Sequence, residues 1–381
     1  MKRSLFAFLL IITALLSQAQ LAKQSYFKDS LDGALDISSW LIDANGFIPL
    51  TSIITEPALG GFGVAVVPVF ITKRPPVIDS VDGNVIKRRT PPDITGAAAV
   101  YTANKTWLVG AFRSGSIIKH RIRYRIVAAY GDVNLTFYKK LPVLGEQSFD
   151  FNFKLIPVSG FAMKQIAHSN WYGGLQYLFM NTQVTRSSVA FPDYVKPREI
   201  KSNISQPGVI TEYDMRDNIF TPNNGFKFHT DFSISDKVVG SDFNYMKLNT
   251  YMYAYHQISH KMIGGLRLDM QQAFNSPPFY LLPFIDMRGI PAARYQGMAD
   301  ALTEAEFRWD FYKRWSVVGF GGTGKAFDQW SEFKDAELVY SYGTGFRYLI
   351  ARKFGLRMGV DVARGPEQWA YYIIFGSAWL K

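Results

Sequence analysis

Gly225–Ser235 reads GFKFHTDFSIS. Successive side chains of a strand point to opposite faces, so Phe226, Phe228, Thr230, Phe232 and Ile234 share one side. Lys227, His229, Asp231, Ser233 and Ser235 share the other. Two architectures carry such a pattern. A soluble sandwich buries its apolar faces between two sheets. A membrane barrel inverts this, with apolar residues toward lipid and polar ones toward an enclosed lumen.

Three features of the chain favour the barrel. Aromatic residues make up 15% of the sequence and crowd the apolar faces, while charged residues, at 19%, fall below the usual ~25%. The polar faces carry opposite charges in rows: Arg267 and Asp269, then Glu304, Glu306, Arg308 and Asp310, then Arg357 and Asp361. The chain closes on an aromatic strand pattern, YYIIFGSAWLK. No segment after the first residues approaches the ~18 uninterrupted apolar residues of a membrane helix. The expected fold is therefore all-β: a transmembrane antiparallel barrel of about 16 strands, the first near residues 47–56 and the last near 369–381. Residues 73–93, rich in Lys, Arg and Pro, read as a loop.

Residues 118–126 read IKHRIRYRI and place Lys119, Arg121, Arg123 and Arg125 on one face. An arginine turned to lipid at mid-depth costs ~2–4 kcal/mol, so this basic ladder is expected to face the lumen. Beyond it Val133, Leu135 and Phe137 have the parity of the arginines, which points to a bulge near residues 128–131.

Lys2 and Arg3, the apolar run 5–16 and Ser17-Gln18-Ala19 form a signal peptide over residues 1–19. Its removal lowers the net charge from +11 to +9. Residues 20–47 are expected to be a short periplasmic leader, and 48–381 the outer-membrane barrel. With no cysteine in the chain there is neither a disulfide nor a lipid anchor on cysteine.

Between two strand patterns lies DMRGIPAARY, residues 286–295. Gly289 permits a tight backbone, and Arg288 offers a planar fork that pairs with carboxylates. A loop folded back into the lumen brings Arg288 against Glu306 or Glu304. Residues 319–325, GFGGTGK, fit the spacing of a phosphate-binding loop, but lack the following Ser or Thr and the helix. They read instead as a glycine-rich strand that makes room for the loop. The histidines show no metal-ligand spacing, and no nucleophile pairs with a base, so neither a cofactor nor an enzymatic activity is expected. Arginines alternating along a strand form no exposed nucleic-acid patch.

These motifs together resemble the bacterial surface antigen superfamily, the BamA/TamA-like outer-membrane barrels. Arg288-Gly289 stands where that family has an Arg-Gly-aromatic motif, with Ile290 replacing the aromatic. Asp214, Arg216, Asp217, Asn218, Pro222 and Gly225 resemble its strand-turn-strand signature. The ending resembles its closing strands, whose assembly signal falls on Phe375, Gly376 and Trp379. In the family the loop arginine pairs with two acids. Glu306 matches the first, and Gly322 stands in place of the second. The family's assembly members also carry periplasmic POTRA domains, and residues 20–47 are too short for one. The resemblance implies help in inserting or translocating protein or lipid at the outer membrane. The implied partners are outer-membrane lipids, periplasmic or outer-membrane proteins, and the barrel-assembly machinery for its own insertion. A passive pore for small, anionic solutes and a docking scaffold remain open as alternatives.

Overall fold

The computed structural model describes residues 27–43, 46–72, 77–81, 84–88, 93–141, 145–167, 169–186 and 200–379. The signal peptide expected over residues 1–19 lies outside the described residues. Sixteen strands form one antiparallel sheet: β1 (Gly46–Ile54), β2 (Gly63–Thr72), β5 (Asp93–Thr102), β6 (Trp107–Ile117), β7 (Ile122–Leu141), β8 (Gly145–Gln165), β9 (Trp171–Arg186), β10 (Ile200–Asp214), β11 (Gly225–Ser235), β12 (Tyr245–Ser259), β13 (Met262–Asn275), β14 (Ala299–Tyr312), β15 (Trp315–Phe327), β16 (Val339–Ala351), β17 (Leu356–Arg364) and β18 (Trp369–Phe375). Each pairs with its neighbour in sequence order. Segment 73–93, expected to be a loop, holds a separate hairpin of β3 (Val77–Val81) and β4 (Asn84–Arg88). The ends of the sheet, β1 and β18, come together without a ladder between them among the described residues, so the barrel is nearly closed. No described helix is long and apolar enough to cross a membrane, and a barrel crosses with strands.

The sidedness read from Gly225–Ser235 is observed. Lys227, His229, Asp231, Ser233 and Ser235 are buried, and Ile234 is exposed. Register carries this parity around the sheet. Opposite them inward lie Glu212 on β10 and Tyr251 and Tyr253 on β12, followed by Arg267 and Asp269 on β13, Glu304 on β14 and Asp361 on β17. Outside, Trp309, Phe311, Tyr312 and Trp315 are exposed at one end of the barrel and Tyr340, Tyr342, Trp369 and Tyr371 at the other. These are the two aromatic girdles of a membrane barrel.

Two expectations about the basic ladder are corrected. Ile118–His120 is a tight 3-10 turn between β6 and β7, and Arg121 caps it at φ +55°. Lys119 and Arg121 thus sit at the turn, and only Arg123 and Arg125 project from β7 into the lumen. The bulge is absent: β7 keeps one register with β8 from Ile122 to Leu141 and one with β6 throughout their pairing. Val133, Leu135 and Phe137 do face inward, in step with the arginines. They are apolar because something apolar packs on them from inside. On their outer side Thr136 bonds Asp150, and Asn152 bonds Asn134 at 2.9 Å, a polar surface that marks the strand's emergence from hydrocarbon.

Residues 27–43 dock at the end carrying the β14–β15 and β16–β17 turns, called here the leader end. They include a short helix α1 (Ser38–Asp43). Buried Arg314 meets Asp29, Asp32 and Asp36 at 2.5–2.7 Å, and Arg352 also bonds Asp29. Ile37 N–H donates to Ile350 O at 2.9 Å. The side-chain bonds from Arg352 and Arg314 hold Asp29 and Asp32, respectively, below the usual carboxylate range.

Candidate functional site

The connection from β13 to β14, residues 276–298, leaves from the opposite end, the loop end. It begins with a 3-10 turn, Phe279–Leu281, and is pinched by a bridge between Phe284 and Gln296. Phe279 packs on Phe137 and Phe151 at ring distances of 5.0 and 4.7 Å. Tyr280 lies 5.5 Å from Phe153 and bonds Ser202 at 3.0 Å. This cluster explains the apolar inner faces of β7 and β8. Ile285, Met287 and Ile290 pack on Leu302 and Val339 across the ring. Ala292 N–H donates to Glu56 after β1, and Arg294 reaches Glu367 between β17 and β18. The loop thus touches inward-facing residues from β7 to β18.

Glycine makes this insertion possible at particular points. Gly289 has φ +88°, and a Cβ there would come within 3.0 Å of Gly365 N. A Cβ on Gly322 would meet Met287 Sδ at 2.7 Å, and one on Gly324 would meet Ile285 Cγ2 at 3.2 Å. The glycine-rich stretch 319–325 therefore lies within strand β15 and leaves space for the loop.

At the tip, Arg288 is buried. Its Nε donates to Glu304 Oε1 at 2.8 Å and its Nη1 to Asp361 Oδ2 at 2.7 Å. Glu306 Oε2 is 2.8 Å from Nη1, and the guanidinium lies over the Phe320 ring, 3.5 Å from its centroid. Gly289 N–H donates to Tyr372 OH at 2.9 Å. The three carboxylates are not equivalent: the side chains of Glu304 and Asp361 are fully buried, whereas that of Glu306 is 16% exposed. Other cations balance them. Arg267 is 3.4 Å from Glu304 and 2.6 Å from Asp269, and Arg347 bonds Asp361. Buried charges of this kind persist only when paired and hydrogen-bonded.

Sequence reasoning brought Arg288, Gly289, Glu304 and Glu306 together. It missed Asp361 as the further acid, although Asp361 already stood in an inward row. With Gly322 filled by Met287, the acid comes from β17 instead of β15. Ile290, in place of an aromatic, joins the apolar cluster.

Arg123 is 3.8 Å from Glu212 and stacks on Tyr172, while Arg125 lies over Phe161. The turn signature forms residues 215–224 at the leader end. Arg216 binds Asp214 through two bonds of 2.8–2.9 Å, and Asp217 accepts from Asn223 N–H. Asn218 caps Phe220 and Thr221 and donates to Phe354 O, across the mouth, at 2.7 Å. Pro222 is buried, and Gly225 takes φ +102°. At the C-terminal end Phe375 points outward and is exposed. Trp379, expected to serve as an aromatic of the last strand, does not: Gly376, at φ +81°, ends β18, and Trp379 is buried inside the barrel.

Among solved structures, the chain is similar to BamA from Haemophilus ducreyi lacking POTRA domains 1–3, with a TM-score of 0.58 and 11% identity over 92% of this chain and 81% of that one. The fold is that of a BamA-type outer-membrane barrel. A second similar structure is CdiB from Escherichia coli, at TM-score 0.56 and 8% identity; the match covers 86% of this chain and 61% of CdiB. No family model and no curated protein sequence matches. In this barrel the arginine-bearing loop and the seam between β1 and β18, which carries no ladder among the described residues, stand on the same molecule.

Proposed function

We propose that the barrel assists insertion or translocation of protein or lipid at the bacterial outer membrane. The observation that carries this reading is the loop 276–298, held inside the ring by Arg288 against Glu304, Glu306 and Asp361. A passive pore needs a continuous wet path, and a lumen crossed by two apolar clusters and a neutralised charge network is built to be occupied. The seam between β1 and β18 adds a place where the wall can part without breaking a ladder. Outer-membrane lipid and a protein supplying the client are the partners this activity requires.

The test is reconstitution in lipid vesicles. Purified barrel should speed the folding of an urea-unfolded small outer-membrane barrel into those vesicles at least several-fold over empty ones, and Arg288→Ala should reduce the gain. Equal rates with and without the protein would overturn the proposal. The pore reading rests on Arg123 and Arg125 facing the lumen. A steady, anion-selective current in planar bilayers, lost on charge removal at those two positions, would favour it.

A further inference from the structure

The C-terminal segment does not trail from the last strand. Gly376 N–H donates to Arg357 O, and Ser377 N–H then donates to Phe220 O in the turn between β10 and β11. Ser377 Oγ lies 3.0 Å from Tyr255 OH and accepts from Trp379 N–H at 3.2 Å. The segment thereby crosses the lumen at the leader end, from β18 to the wall of β12, β13 and β14. Trp379 ends there, 2% exposed. Its rings lie 5.6 and 6.0 Å from Tyr255 and Tyr253, and its Nε1 donates to Glu304 Oε2 at 2.9 Å.

The wall is shaped for this ring. Gly265 faces it, and a Cβ there would come within 2.9 Å of the indole. Two tilted tyrosine rings, a missing side chain and a buried carboxylate make a seat for a flat aromatic group with one N–H donor. Glu304 is shared: Arg288 of the loop takes one oxygen, and Trp379 takes the other with Arg267. One carboxylate ties the loop entering from one end to the tail entering from the other.

We propose that Tyr253, Tyr255, Gly265 and Glu304 form a binding site for an indole side chain, filled by Trp379 of the segment after β18 as an internal bolt across the leader-end mouth. The bolt follows from the tail's geometry and does not depend on what the barrel inserts or translocates.

The chain has no cysteine, so Ala378→Cys is a clean reporter in the full-length, detergent-folded barrel. Maleimide labelling should be slow with the tail seated, because reaction then waits on local opening. Gly265→Leu fills the seat and leaves the tail unchanged; it should raise the rate at least about tenfold, with Trp379→Phe, which keeps a ring and drops the donor, in between. Heat-dependent gel mobility verifies that each variant is folded. A second measurement serves if Gly265→Leu does not fold. A dye-labelled peptide Ser-Ala-Trp-Leu-Lys should bind the Trp379→Ala barrel saturably at up to millimolar concentration. It should bind the parent at least about tenfold more weakly, since the tethered tail competes at high effective concentration. Equal labelling with and without Gly265→Leu, or equal or absent peptide binding in parent and Trp379→Ala, overturns the proposal.

Discussion

Asp361→Asn tests the loop lock most directly. Asp361 accepts from Arg288 Nη1 at 2.7 Å and from Arg347 Nη2 at 2.9 Å, with its side chain fully buried. Asparagine keeps the shape, removes the charge and turns N–H groups toward guanidinium donors. Removing one partner of a buried pair costs about 3–5 kcal/mol. Glu306→Gln removes a partially exposed partner of the same arginine, and the expected loss is no more than roughly 1–2 kcal/mol. A chain of this length has an unfolding entropy of about 0.8 kcal/mol per kelvin. The thermal midpoint should therefore fall by roughly 4–6 °C for Asp361→Asn and by about 1–2 °C for Glu306→Gln. Loss of the folded barrel's faster gel mobility on heating measures both. Adding Arg347→Met to Asp361→Asn removes the stranded guanidinium and should recover part of the loss. Equal shifts for the two single variants, or a larger one for Glu306→Gln, would refute Asp361 as the principal second anchor.

Gly322→Val places a side chain where Met287 lies; such overpacking costs about 1–3 kcal/mol, and an Ala292→Cys reporter on the loop should label faster as the loop is pushed out. Phe279→Ala removes the ring contacts with Phe137 and Phe151. A loss of roughly 2–3 kcal/mol is expected for this half-buried ring, seen as protease cleavage within residues 276–298 of an otherwise folded barrel. The lowered carboxylates of Asp29 and Asp32 fix the sign for the leader. Docking is fully stabilised above the ordinary carboxylate pKa and is lost as pH falls below about 4 toward the lowered values. Hydrogen exchange of residues 27–43 should be slow at pH 7 and, after correction for intrinsic rate, unprotected in strong acid. Arg314→Ala should release the same segment at pH 7, and unchanged protection would remove the clamp.

The barrel was legible because its signal repeats. Alternation in β11 alone fits two architectures, but aromatic outer faces together with the charged inner rows of β13, β14 and β17 fit one. The failures are local and have physical causes. The turn at Ile118–His120 carries no Gly, Pro, Asn or Asp, and its residues continue the alternation of the strand after it, so periodicity ran through the reversal. The supposed bulge at 128–131 arose from assuming one environment per face. Past Gly131 the outer face of β7 meets water and its inner face meets Phe279, so polarity inverts while register does not.

The site was half legible for a different reason. Each strand's parity puts Glu304, Glu306 and Asp361 inside, and Arg288-Gly289 marks the loop that can reach them. Which acid the arginine meets depends on how the loop packs, and that is set by where the wall lacks side chains. Gly322 lies opposite Glu304 in the ladder, yet its space goes to Met287. The guanidinium is then displaced toward β17, where Asp361 is already held by Arg347. Trp379 obeys the same rule: Gly265 opens the wall, and Glu304 Oε2 accepts from the indole N–H as well as from Arg267. Inside this barrel the glycines decide where side chains can enter, and the carboxylates decide which ones stay. Charge and strand parity on the next strand, β14, alone point to Glu304 and Glu306, and they leave out Asp361, which is as fully buried as Glu304. Gly265 on β13 and Glu304 on neighbouring β14, an inward-facing glycine beside an inward-facing acid, are the sequence features that mark where the tail enters.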